Sequence, residues 1–377
     1  GSGHPQKKPL TKAQKAAIRK KKRQKKIILV VVEILVLLLL AVVLFAVVKL
    51  SKIEKDTSFN ESDLEFNEGL SSESQQIMKG YTTIALFGLD NRSNGNLSKG
   101  NSDVIMIASI NNETKKVKLV SVYRDTMLKQ NGEHYDKANA AYSVGGPETA
   151  VNMLNENLDL NIQDYVSVNF LALADVIDMV DGITVKLTDE EVVHMNNYCV
   201  ETSKVTGKKY KKIEPAVAGT YKLNGVQAVS YARIRYTAGG DYKRTERQRL
   251  VLKKTADKLK QQDLATLNKI IDKVMPEVST SFTTKEILSL ATGAFDYELG
   301  ETTGFPFDLE TPEQIPGYSG SYVIPKGLEE NVIKLHQFLY PNKDYTPTAT
   351  VTDISNTLND MTKVYPNTTE SGTSQNE

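Results

Sequence analysis

Ile27 to Val48 reads IILVVVEILVLLLLAVVLFAVV, 22 residues in which Glu33 is the single ionisable side chain. At about 1.5 Å per residue, a helix of this length covers the roughly 30 Å hydrocarbon core of a bilayer. The preceding arm carries eleven Lys and Arg and no acid, and basic flanks of this kind stay on the cytoplasmic side. The sequence therefore predicts a cytoplasmic basic arm over residues 1–26, a single-pass transmembrane helix over 27–50, and the remainder of the chain outside the cell. A cleaved signal peptide fits less well. Its apolar core runs to about 7–15 residues and is followed by small residues, whereas FAVVKLSKIEKD follows here. The KKKR run at Lys20 to Arg23 is explained by orientation and by anionic lipid headgroups, so the expected partner is the lipid bilayer and no nucleic acid.

The arm masks an acidic exterior. Of 47 basic and 46 acidic residues, eleven basic ones lie in the arm, leaving 36 against 46 and a net charge of −10 over residues 27–377. A domain this acidic repels polyanions in general, so any anion site has to be a local concentration of arginine. Cys199 is the only cysteine, which permits no internal disulfide and leaves the core alone to hold the domain.

Residues 51–79 are Ser/Glu-rich without sustained apolar periodicity and are predicted to be an extracellular stalk. From about 346 to 377 the chain is rich in Thr, Ser and Asn and is predicted to be a polar, disordered tail. Between them, residues 80–345 are long enough for one large core. YTTIALFGLD (81–90), DVIMIASI (103–110) and KVKLVSV (116–122) are short β-branched runs separated by turn residues, as strands are. KANAAYSVGGPETAVNMLNENL (137–158) predicts a helix broken at Gly145–Gly146 and restarted at Pro147. FLALADVIDMV (170–180), a helix from Asp241 to Leu259, DLATLNKIIDKVM, TKEILSLATGAF and LEENVIKLHQFL are further helices, and GITVKL (182–187) is a strand. This mixture predicts an α/β fold with a sheet sandwiched between helical layers.

The chain contains no P-loop, no G-x-G-x-x-G after a strand, no G-x-S-x-G elbow and no H-E-x-x-H. With four His and one Cys, zinc and Cys-His chemistry are disfavoured. Carboxylate and arginine remain. Asp90 closes the first strand and Asp103 opens the second, and two carboxylates brought together at strand ends suit Mg²⁺ completed by phosphate oxygens. Arg124 ends the third strand. Arg233 and Arg235 in YARIR leave one face if that segment is extended. Arg244 and Gln248 share a helix face, with Arg247 nearby. Guanidinium forks suit phosphate; a salt bridge from Asp241 to Arg244 is the structural alternative.

These motifs in this order, Asp90-Asn91-Arg92 with Ser102-Asp103, SVYRDT (121–126), KANAAY with GG (137–146), LNGVQAVSYARIR (223–235) and DYKRTERQ (241–248), resemble the LytR-CpsA-Psr family of cell-wall enzymes. The resemblance covers about residues 80–255. It implies an α/β/α sandwich with a central mixed sheet, carried on a membrane anchor in Gram-positive bacteria. It also implies a phosphotransferase that moves a glycopolymer, such as teichoic acid or capsule polysaccharide, from undecaprenyl pyrophosphate to peptidoglycan. Mg²⁺, with Mn²⁺ as a substitute, is the implied cofactor. Asp90 and Asp103 match the family's metal-associated acids. Arg124, Arg233, Arg235, Arg244 and Gln248 match its pyrophosphate-binding positions, and Asp241 matches an acid beside the site. The chain departs from the pattern at Val122-Tyr123, where Ile-Pro is usual, at Ala138, where Ile is usual, and at Leu128, which is often Arg. Loss of that arginine predicts a weaker phosphate grip or a different donor. A lipid-pyrophosphate hydrolase, or a silent glycan-binding or transcription-attenuating regulator, are the alternatives. FLALADVIDMV and ILSLATGAF are candidates for a slot that takes the prenyl tail.

Overall fold

The computed structural model describes residues 59–367, apart from 91–96, 98–99, 260, 284–285, 287–296 and 342. The predicted arm and span, the start of the predicted stalk and most of TKEILSLATGAF lie outside the described residues. No helix among those described is long and apolar enough to cross a membrane.

Helix α1 (Ser72–Lys79) leads into β1 (Tyr81–Asp90), β2 (Asn101–Asn111) and β3 (Lys116–Val122), an antiparallel meander formed by the three runs predicted as strands. The hairpin β4 (Met127–Lys129) and β5 (Tyr135–Lys137) precedes α2 (Ala140–Leu158). That helix breaks where the glycine pair predicts: Gly145 and Gly146 leave helical geometry, Gly146 at φ 72°, a value that costs glycine little. Then come β6 (Asp164–Asn169), α3 (Phe170–Met179), β7 (Ile183–Leu187), α4 (Asp189–Thr206), β8 (Gly219–Leu223), α5 (Gly225–Arg233), α6 (Gly240–Leu259) and α7 (Leu264–Val274). The chain continues through β9 (Val278–Thr280), β10 (Glu298–Phe305), β11 (Leu309–Glu310), β12 (Ile324–Pro325), α8 (Leu328–Leu339) and α9 (Ala349–Thr362). The central sheet runs β10-β3-β2-β1-β6-β9. β6 lies parallel to β1 and β10 parallel to β3, so the sheet is mixed; the expected mixed α/β fold is what forms.

Helices cover both faces. Phe87, Leu89, Ile105, Ile107 and Val120 point into a core completed by Val151 and Leu154 of α2, Val332 and Leu335 of α8, and Val351 and Ile354 of α9. Val104, of opposite parity, meets Phe170 and Leu173 of α3. Burial on both faces explains why β2 reads as a nearly continuous apolar run. The hairpin β7–β8 forms a second core with α4, α5 and α6 through Ile183, Val185, Met195, Val226 and Val251. Within α3, a candidate for the lipid slot, Ala172 joins Leu259, Ile270 and Val274, and Ala174 joins Val229.

Two boundaries differ from expectation. Residues 59–79 do not form a featureless stalk. A 3₁₀ turn spans Glu61–Asp63, and Phe59, Leu64, Leu70, Ile77 and Met78 pack on the main core. The predicted tail contains α9, capped by Thr348 and burying Val351, Ile354 and Leu358. Both segments contribute a few apolar side chains to a core that other elements build, which is why composition alone concealed them.

At the start of β6, burial pushes the Asp164 carboxyl up to about 6, against a hydrogen bond from the Ser281 hydroxyl at 2.9 Å and with repulsion from Glu286 and Glu61. The folded state thus holds this proton more tightly than the unfolded chain does. Its stabilising effect is complete below the unfolded value near 4 and is lost as pH rises through about 6. Asp164→Asn is expected to stabilise the domain at pH 7.5 by about 1–2 kcal/mol, discounted from roughly 1.4 kcal/mol per pKa unit for partial exposure. The gain should vanish near pH 4. Melting curves across pH 4–8 check it; a gain that does not change with pH would refute the assignment.

Candidate functional site

The site begins with an irregularity in the sheet. Gly88 pairs with Val104 but Leu89 pairs with Ser102, so Asp103 is the unmatched residue of a β-bulge. A bulge re-aims a side chain that regular pairing would hold to one face. Gly88 is required there, because a Cβ would fall 2.8 Å from the Cβ of Val104. The Asp103 carboxylate pairs with Arg124, just beyond β3, and lies 3.5 Å from Arg244 Nη2 on α6. Arg244, 1% exposed, also donates from Nη2 to the Asp103 carbonyl at 2.7 Å. One half-buried acid thus fixes two guanidinium groups arriving from distant parts of the sequence.

YARIR is not extended throughout. α5 continues to Arg233, and Ile234 then turns out at φ −57°, ψ 127°. The two arginines converge because a helix ends between them, not through the strand period. Arg233 Nη1 donates to Thr202 Oγ1 at 3.0 Å and Nη2 to Glu201 Oε2 at 3.1 Å. Its guanidinium carbon lies 5.8 Å from the rings of both Phe170 and Tyr198. Arg235 is half-buried, and its Nη2 is buried without a hydrogen-bond partner among the described residues.

Arg124, Arg233, Arg235 and Arg244 all line one cleft of about 1110 Å³, against the carboxylates of Asp103 and Glu201. Four guanidinium groups against two acids make a local cationic site in an acidic domain. Gln248 is buried on α6 and does not line this cleft. The side chains of Asp90 and Asp241 lie outside the described residues, although the Asp90 backbone closes β1 opposite Asn101 of the cleft wall. Arg247 serves the frame: Nε donates to Glu191 at 2.9 Å, Nη1 to the Ile234 carbonyl at 3.3 Å and Nη2 to Thr237 at 2.6 Å. Leu128, where arginine was expected to matter, is fully buried in the main core and does not line the cleft.

Sequence reasoning missed His194, Asn197, Tyr198 and Glu201 of α4, together with Tyr236 and Ser143. The spacing of the α4 set, i, i+3, i+4 and i+7, is the signal that was present. Burial raises the Tyr198 phenol above its usual value and pushes the Cys199 thiol up to about 11, so the one cysteine supplies no thiolate. His134 is exposed, whereas His336 is buried.

The LytR_cpsA_psr family model matches residues 44–299. Biofilm regulatory protein A of Streptococcus mutans is 34% identical over 210 residues, 53% of this chain and 49% of that protein. The polyisoprenyl-teichoic acid–peptidoglycan teichoic acid transferase TagU of Enterococcus faecalis is 31% identical over 212 residues, 55% of this chain and 64% of that protein. The chain thus spans about half to two thirds of the length of these relatives. A solved Streptococcus agalactiae protein superposes with a TM-score of 0.56 at 27% identity, covering 74% of this chain and 94% of that one. The family match takes in more than half the chain, including every strand and helix that holds the arginine cleft, and the chain belongs to the LytR_cpsA_psr family.

Proposed function

We infer that this protein transfers a glycosyl phosphate from a polyisoprenyl pyrophosphate carrier to a hydroxyl of peptidoglycan. The observation that carries the reading is the cleft itself: four arginines converge on an open, polar cavity in a domain whose exterior is otherwise acidic. The name of the E. faecalis relative, a teichoic acid transferase, supports the same chemistry. In the reaction, the acceptor oxygen attacks the sugar-bearing phosphorus. The bond to the bridging oxygen breaks, the carrier leaves as a polyisoprenyl phosphate, and the hydroxyl proton passes to a base. Charge on the phosphorus oxygens grows along this path, and fixed guanidinium forks stabilise it most when already in place. Asp103 holds Arg124 and Arg244, and Glu201 holds Arg233, before substrate arrives.

Asp90, Asp103 and Asp125 are the acids that could take that proton; Asp103 is paired with Arg124 and Arg244, and Asp125 lies 3.2 Å from Lys137 Nζ and off the cleft lining. That leaves Asp90. Among the described residues no three His, Cys, Asp or Glu side chains gather to cage a metal. A Mg²⁺ or Mn²⁺ completed by water and substrate phosphate would take Asp103 as its described carboxylate, in exchange for part of the pairing with Arg124, with Asp90 on the adjacent strand as the second acid that the family resemblance adds. Bound there, the ion would neutralise phosphate charge. The sequence supports carriage of the domain outside the membrane by residues 27–50, with the arm in the cytoplasm.

Purified protein with Mg²⁺, a lipid-linked oligosaccharide and peptidoglycan oligomers is expected to give a phosphodiester-linked product by mass spectrometry. Released glycosyl phosphate without linkage would instead identify a hydrolase.

A further inference from the structure

The inward side of α4 belongs to the cleft; its outward side does not. At about 100° per residue, Val193, Val200 and Lys204 share one stripe, within about 40° of one another. His194, Tyr198 and Glu201 of the cleft lie about 100° to one side of that stripe, and Asn196 lies about 60° to the other. Val193 and Val200 are 45% and 51% exposed, and Lys204 is exposed as well. Asn196 exchanges hydrogen bonds of 2.9 and 3.1 Å with the Ile213 backbone, which brings the chain before Ile213 back along this edge of the helix. That chain, KVTGKKYKK over residues 204–212, has five lysines and no acid, although residues 27–377 carry a net charge of −10. Lys208 turns inward to Asp175 and Asp178 at 2.6 and 2.9 Å, whereas Lys209 and Lys211 are exposed. Lysine edge, apolar stripe and cleft mouth therefore lie side by side. Such a surface suits an anionic bilayer, which takes apolar side chains at the acyl boundary and ammonium groups among its headgroup phosphates.

The point where the chain joins the domain favours the same partner. The Asn60 amide donates to Glu148 at 3.3 Å, the Glu65 amide to Asn152 at 2.9 Å, and Asn67 Nδ2 to the Glu156 carbonyl at 2.7 Å. Residues 60–67 thus begin near the cleft end of α2, where Ser143 lines the cavity, and run away from it. Eight residues, 51–58, separate the predicted span from Phe59, a reach of at most about 30 Å. The domain is tethered from its cleft end.

We propose that the outward stripe of α4, with Lys204, Lys209 and Lys211, docks on the anionic lipid surface of the membrane that anchors the chain and holds the cleft mouth at headgroup level. The inference rests on the reading of residues 27–50 as the anchor, and it explains how a transferase cleft reaches a carrier whose tail stays in the bilayer.

The test uses the full chain in vesicles of equal parts phosphatidylglycerol and phosphatidylcholine, with an NBD reporter at Val193→Cys, at Val200→Cys or, at the far end of α2, at the exposed control Phe66→Cys. Cys199 is fully buried with its thiol pushed up to about 11, so it does not compete for the label. Emission from the two α4 reporters is expected to shift to the blue and to be quenched by doxyl-labelled lipid, while the control stays unquenched. Lys204→Gln, Lys209→Gln and Lys211→Gln should each lower the docked-to-free ratio about 5-fold with melting temperature unchanged, and high salt should act in the same direction. Quenching at α4 no greater than at Phe66 would overturn the docking face. So would lysine variants that lose binding to dextran sulfate in detergent yet keep full quenching in vesicles, which would assign the lysines to a soluble polyanion. Failure of the wild-type chain to float with vesicles at all would instead remove the anchor beneath the proposal.

Discussion

Arg235→Ala is expected to cut lipid-pyrophosphate binding and transfer by about 30- to 4,000-fold while the melting temperature moves by no more than about 2 °C. The magnitude comes from losing one charged hydrogen-bonding partner of a phosphate, about 2–5 kcal/mol at about 1.4 kcal/mol per decade. The small thermal effect comes from the local structure. Arg235 is half-buried, and its Nη2 has no hydrogen-bond partner among the described residues, so truncation strands no buried acid. Arg233 provides the contrast. It joins Glu201 and Thr202 and lies between two aromatic rings, so Arg233→Ala should lose both binding and about 1–3 kcal/mol of stability. Lysine at either position keeps the charge without the fork and should restore only part of the binding. Titration with a lipid pyrophosphate beside thermal melts distinguishes the two. If Arg235→Ala bound normally but melted far lower, the arginine would be structural and the anion site would lose its main support.

The sequence displays its chemistry more clearly than its scaffold. Asp103 and the arginines are legible because guanidinium groups clustered at strand and helix ends are unusual in an acidic domain. The three sheet strands are legible because apolar runs bounded by turn residues admit few other readings. YARIR misleads because a two-residue period and a helix end produce the same pair of arginines; only the exit of Ile234 at ψ 127° separates them. The bulge at Asp103 depends on the pairing partner, which no local pattern contains. Glu201 and Arg233 are 32 positions apart and meet only because α4 packs along α5. Residues 59–79 and α9 mislead for a related reason: their polar surfaces dominate the composition, while their few apolar side chains matter through what they cover.

Asp159→Ala should show how firmly those two segments are bound into the domain. Asp159 caps α2 in the left-handed region at φ 51° and is fully buried. Its carboxylate accepts from Asn67 Nδ2 at 2.6 Å, from the Tyr345 hydroxyl, and from the Thr348 amide and hydroxyl at 2.9 and 2.7 Å. It therefore ties the segment expected as stalk and the cap of the helix expected as tail to the same point. Burial, reinforced by the charge of Asp159, raises the Tyr345 phenol far above its usual range, so it remains a donor. The Tyr345 ring stacks on His336 at 3.6 Å; burial lowers that imidazole to about 4 and keeps it neutral at physiological pH. Removing the carboxylate strands several buried donors at once and leaves alanine in a left-handed conformation. The expected cost is about 3–5 kcal/mol, or a fall of roughly 6–20 °C in melting temperature for a domain of this size. Asp159→Asn tolerates the backbone but turns an amide toward the donors, so it should fall between the two. Since Asp159 does not line the arginine cleft, turnover per folded molecule should survive well below the melting point, the opposite of the Arg235 result. A melting temperature within about 2 °C of wild type would mean that neither segment depends on this carboxylate.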